Sequence, residues 1–179
     1  DLGVLLLHQA AGGEPLEQAT LVVRAARGGV SGGTLASMIG QIDAARSDPA
    51  KRRLMFDPYA LSPDRSAEPD LGDQRELRGI EHDDELGLWV APFVMAMINT
   101  RVVRRSNALL GYAYGPRLRY REVVSAGRGP VGAAVAAAIT GAAGAALAGA
   151  AFGPTRAVMQ KLMPPGKGPG EKARRTGFF

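Results

Sequence analysis

Two hydroxyls separated by two glycines stand at Ser31-Gly32-Gly33-Thr34, directly before a stretch with helical spacing. Free N–H groups at a helix start, a hydroxyl from Ser31 or Thr34 and the nearby Arg27 can together hold an anion or a carbonyl oxygen. The same residues also read as a tight turn with a Ser or Thr helix cap. A second group is Asn99 and Arg101 within Ile98-Asn99-Thr100-Arg101-Val102-Val103-Arg104-Arg105-Ser106-Asn107. An arginine binds carboxylate or phosphate through two parallel hydrogen bonds, although arginines on a helix are often surface residues. Gly127-Arg128-Gly129-Pro130-Val131-Gly132 matches G-x-G-x-x-G between a predicted strand and a predicted helix. The acidic residue that completes a dinucleotide fingerprint about 20 residues on is missing, because the next acid after Glu122 is Glu171. Tyr112, Tyr114 and Tyr120 lie among Arg117, Arg119 and Arg121, a mixture found in single-stranded nucleic-acid grooves. No nucleic-acid-binding fold accompanies them, so no nucleic-acid partner is expected.

The residues that are missing narrow the chemistry further. There is no cysteine, which excludes thiol catalysis, disulfides and cysteine metal sites. Only His8 and His82 are present, too few for the common zinc sites. Charge is divided along the chain: residues 1–100 hold nine basic and fifteen acidic groups, and residues 101–179 hold thirteen and two. The basic half suits nucleic acid, anionic lipid, a nucleotide phosphate or an acidic acyl carrier, or else is a solvated surface balanced by the acidic half.

These groups need elements to position them. Asp1 caps a predicted helix, Leu2 to Gln9, that ends near Gly12-Gly13. Ala19 to Ala26 reads as a strand, and Thr34 to Arg46 as a helix through Leu35, Met38, Ile39 and Ile42. Ser47-Asp48-Pro49 ends it. Residues 57–87, rich in Pro, Gly and acids, read as a long surface loop. Order returns at Leu88-Trp89-Val90, a helix follows from about Phe93 to Leu110, and Leu118 to Ser125 reads as a strand. Pro164 to Gly170 is a loop that Pro and Gly keep out of helix and central strand.

Val131 to Phe152 carries no charge over twenty-two residues, long enough to cross a hydrocarbon core. Twelve of them are alanine and four glycine, which offer little apolar area. Val131, Val135 and Ile139 stack on one face. A helix packed on protein, or lying on a membrane, fits this composition better than a stable span.

The order D-L-G-V-L-L-L-H, R-G-G-V-S-G-G-T-L-A-S-M, A-P-F-V-M-A-M-I-N-T-R-V-V-R-R-S-N-A-L-L and P-P-G-K-G-P-G-E-K-A-R-R-T-G-F-F resembles the saccharopine dehydrogenase-like oxidoreductases. Within them it resembles the trans-acting enoyl reductases of mycobacterial lipid synthesis. The resemblance implies an α/β fold with α+β character, a mixed sheet with packed helices. Residues 1–179 would be the substrate and dimerisation domain, with a loop insertion at 57–87 and an Ala/Gly-rich helix at about 131–163. The Rossmann domain binding NADPH or NADH would lie upstream of Asp1, and the unfinished run Thr176-Gly177-Phe178-Phe179 would be the start of a strand. The implied reaction reduces an enoyl thioester, on an acyl carrier or a polyketide synthase, in the cytoplasm or at the inner face of the membrane. The long helix would meet a second subunit or a membrane. A non-catalytic lipid- or membrane-binding module is the alternative. Such a reduction needs donors for the thioester oxygen and a proton source. From residue chemistry, Ser31, Gly32, Gly33, Thr34, Asn99 and Arg101 are the candidates for the first, and Ser31, Thr34, Tyr112 and Tyr114 the catalytic candidates. No metal is expected.

Overall fold

The computed structural model describes residues 1–26, 31–164, 166, 168 and 170–177. Helix α1, Leu2–Ala10, begins at Asp1 and stops where Gly12 and Gly13 take left-handed φ of 77° and 78°. Strand β1 is Gln18–Val23, and α2 is Gly32–Ser47. Asp48 and Pro49 do not simply end α2: they also start α3, Pro49–Phe56. Proline fits the first helical turn, and the Asp48 carboxylate accepts the N–H of Ala50 at 2.8 Å.

The acidic stretch is more than a surface loop. It contains a 3-10 turn at Arg65–Ala67 and strand β2, Glu81–Asp83, and it buries Leu71, Gln74 and Asp83. Strand β3, Leu88–Pro92, precedes α4, Ala96–Leu109, and then β4, Arg119–Gly127. The four strands lie in the order β1-β4-β3-β2. β1 runs parallel to β4, with Thr20 beside Arg121, and the other two pairs are antiparallel. The fold is therefore α/β with a mixed sheet, as the resemblance implied.

The predicted helix over 131–163 is two helices: α5, Gly129–Ala151, and α6, Gly153–Leu162. Phe152, with extended backbone, separates them, and Pro154 sits in the first turn of α6. A short α7, Glu171–Thr176, places Thr176 in a helix rather than at a strand start. Phe178 and Phe179 lie outside the described residues.

One core cluster joins Val4, Ala19, Val103, Tyr114, Leu118 and Tyr120, where α1 and α4 meet β1 and β4. A second, formed by Leu35, Ile39 and Ala150, fastens α2 to the end of α5. At the other end of α5, a Cβ on Gly132 would stand 2.5 Å from the Gly127 carbonyl oxygen and 3.2 Å from the Trp89 ring. Only glycine allows this contact. The last glycine of the G-x-G-x-x-G match thus serves packing of helix on sheet.

Candidate active site

Residues two apart on a strand face the same way. Tyr120 and Glu122 of β4 accordingly share a face, and both are buried. Glu122 is 4 % exposed, and its carboxylate accepts the Tyr120 hydroxyl at 2.7 Å and the Asn99 side-chain amide at 2.8 Å. Both donors are neutral, and no ion pair to Glu122 occurs among the described residues. A buried carboxylate without a cation is costly unless hydrogen bonds hold it. Burial and the hydrogen bond to Glu122 push the Tyr120 phenol well above the usual tyrosine range. Giving up that proton would set two negative charges side by side. Tyr120 is therefore an anchor for Glu122 rather than a proton donor to a ligand.

This network floors a cleft of about 400 Å³ between α1, β1, β4 and α4. Val4, Leu7, Ala19, Leu21 and Val102 give it apolar walls, and Asp1, Thr20, Asn99, Tyr120 and Glu122 give it polar ones. An asparagine amide has two N–H donors. One reaches Glu122, which leaves the other for a ligand oxygen. Asp1 contributes an acceptor, and its side chain caps no helix but takes the Ser106 hydroxyl at 2.8 Å. Apolar walls with a few convergent polar groups are the usual form of a small-molecule site.

A second hollow lies on the other side of α4. Two adjoining cavities of about 320 and 360 Å³ share Gln41, Met55, Met97 and Ile98. Met38 and Met95 add to the lining, with Thr34 and Ser37 near one end and Lys51 and Arg101 near the other. Methionines are unbranched and adaptable, so such a groove accepts apolar chains of varied shape.

The predicted donor cluster is first of all a helix cap. Ser31 Oγ accepts the Thr34 N–H at 3.1 Å and lies 2.9 Å from the Thr34 hydroxyl. Gly32 is buried against main chain: a Cβ there would stand 2.0 Å from the Pro164 carbonyl oxygen. Thr34 alone of the four borders the groove. Arg27 lies outside the described residues.

Arg101 borders the second hollow, but most of its hydrogens are already taken. Its guanidinium donates to the carbonyls of Asp57 at 2.9 Å, Met55 at 2.8 Å and Met97, and to the Glu76 carboxylate at 3.1 Å. Arg104 reaches the carbonyls of Pro58 at 3.2 Å and Gln74 at 3.1 Å, and Arg105 that of Leu61 at 2.8 Å. The arginine-rich stretch is thus the clamp that holds the acidic segment on α4. Arg101, expected to meet substrate, is engaged here with main-chain carbonyls and Glu76, which planar five-donor groups suit as well as they suit anions.

The two tyrosines expected as acids stand outside the cleft. Tyr112 has a left-handed φ of 63° and donates to the Ala67 carbonyl at 3.1 Å. Tyr114 is core, 2 % exposed, with its ring 5.7 Å from that of His8. Sequence reading missed Tyr120 and Glu122 as a pair. Their alternation on a strand was the available signal.

Along its whole length the chain is 44 % identical to a protein of Mycobacterium tuberculosis provisionally named a trans-acting enoyl reductase, of which it covers 45 %. It is 41 % identical to a trans-acting enoyl reductase of Mycobacterium ulcerans, again over all of the chain and 46 % of the relative. A trans-acting enoyl reductase of Mycobacterium bovis is 44 % identical over 84 % of the chain and 38 % of the relative. The chain therefore spans less than half the length of these curated relatives. No family model matches it, and no solved structure matches it significantly.

Proposed function

We propose that this chain is the substrate-shaping part of a longer oxidoreductase, a trans-acting enoyl reductase that saturates an enoyl thioester carried by an acyl carrier or polyketide synthase. The observation that carries this reading is the end-to-end likeness to relatives of that name, at 41–44 % identity. Two features of the geometry bear on it, each by itself, because the groove and the cleft lie on opposite sides of α4. The methionine-lined groove suits an acyl chain. The cleft supplies the Asn99 amide, set by Glu122, for the thioester oxygen as negative charge develops there. In this reading Thr34 borders the chain-binding groove, Ser31, Gly32 and Gly33 shape the helix start beside it, and Arg101 is a positioning residue.

An enoyl reduction needs a hydride, which reduced nicotinamide supplies. The fingerprint-like turn of this chain does not fit that group's phosphates. In the one fingerprint-like turn, Gly132 is filled by Gly127 and Trp89, and no acid follows in α5. We therefore assign cofactor binding to a nucleotide-binding part upstream of Asp1, in keeping with a saccharopine dehydrogenase-like plan. The reading implies a cytoplasmic protein. It is tested in the full-length enzyme with an enoyl-pantetheine thioester, by following NADPH or NADH consumption. Asn99→Ala should lower kcat by about 10²-fold, the order expected for losing one oxyanion donor, while cofactor fluorescence titration stays unchanged. A flat titration in the wild type would sink the oxidoreductase reading in favour of a lipid-binding module without chemistry.

A further inference from the structure

The most apolar surface of the molecule takes no part in either cavity apart from Leu147. Helix α5 carries no charged residue, and little of it is buried. Gly132, Ala136 and Ala150 are its buried positions. Val131 and Val135 are exposed near its start, and alanine and glycine make up most of the exposed remainder. The surface continues through Phe152 at the break and onto Val158 and Leu162 of α6, which are 62 %, 58 % and 71 % exposed. Of the two expectations, packing on protein or lying on a membrane, the body of the chain itself supplies packing chiefly near the two ends of α5.

Those ends decide how α5 can meet a bilayer. Its start is pressed on Gly127. Its finish is held by Arg46, which donates to the Ala151 carbonyl at 2.7 Å, and by the two-pronged Arg156–Asp43 pair just beyond, at 2.8 and 2.7 Å. A helix tied to the folded body at both ends lies alongside it and cannot cross a membrane by itself. The charge pattern selects the partner. From Val124 to Phe179 the sequence holds seven basic residues and one acid, Glu171. Arg128 before α5, Lys161 on α6 and Arg175 after it are exposed. A second copy docked on this face would bring two basic rims together, whereas anionic headgroups neutralise them. A run without charges sets no register for a protein partner, and a fluid bilayer needs none.

We propose that the outer face of α5 and α6 docks on an anionic lipid bilayer, with Phe152, Val158 and Leu162 inserted and the basic residues on the headgroups. The inference stands apart from the reductase reading. The test is flotation of the full-length protein with vesicles of phosphatidylcholine alone or with about 30 % phosphatidylglycerol. The protein should float with the anionic vesicles, and much less with neutral ones or at high salt. The Phe152→Ser, Val158→Ser, Leu162→Ser variant should partition at least about tenfold less, since each loses a large apolar anchor. Lys161→Glu with Arg175→Glu, which alters no packed residue, should independently lose the preference for anionic lipid. No flotation, or variants that float like wild type, would overturn the proposal. So would a dimer that the triple variant splits while lipid binding is absent.

Discussion

Replacing Arg101 with alanine should lower the unfolding temperature rather than weaken a ligand. The guanidinium is 7 % exposed and its Glu76 partner 17 %. Removal leaves the carbonyls of Met55 and Asp57 without their donor, and Glu76 with only the Thr100 hydroxyl at 2.8 Å. Breaking a buried pair from one side costs about 3–5 kcal/mol. For a chain of this size each kcal/mol is worth about 2–4 °C, so Tm should fall by roughly 10 °C. Arg101→Lys should recover only part, because an ammonium keeps the charge but cannot span carbonyls and carboxylate at once. The assay is thermal unfolding by circular dichroism, with limited proteolysis to show whether residues 57–80 come loose first. A Tm within about 2 °C of wild type, with substrate KM raised instead, would refute the clamp and restore Arg101 to the ligand.

Two further outcomes follow from the same packing. Because the folded state holds the Tyr120 phenol protonated, its contribution is complete below the unfolded tyrosine pKa of about 10 and is lost as pH rises beyond it; urea midpoints compared between pH 8 and pH 11 should fall less for Tyr120→Phe than for wild type. Gly132→Ala must push α5 off the sheet, since its Cβ would meet main chain at 2.5 Å, and should cost about 1–3 kcal/mol. Gly141→Ala, in open space on the same helix, should instead stabilise by up to about 1 kcal/mol; equal effects of the two in denaturant melts would contradict the asymmetry.

What the sequence revealed was local. α1, β1, α2, α4 and β4 announce themselves through period and flanking glycines, because a helix face or strand face is written within a few turns of chain. α3 was hidden because Asp-Pro reads as a stop, although the same pair is an N-cap and first-turn proline. The break at Phe152 was hidden because an uncharged run gives no cap to see. The site was harder still, since its partners are distant: Asn99 finds Glu122 twenty-three residues on, and Arg101 finds carbonyls more than forty residues back. A carbonyl belongs to every residue, so no composition marks the acceptors of a clamp. That asymmetry explains why Asn99 and Arg101, two residues apart on α4, looked alike in the sequence and differ in the structure. A hundred degrees of turn per residue sets them on different sides of the helix. Asn99 faces a cleft whose floor is a carboxylate with no cation beside it among the described residues, while Arg101 gives four of its five hydrogens to main-chain carbonyls and the Glu76 carboxylate. The Asn99 side keeps a donor for a ligand, while the arginines hold the acidic segment against α4.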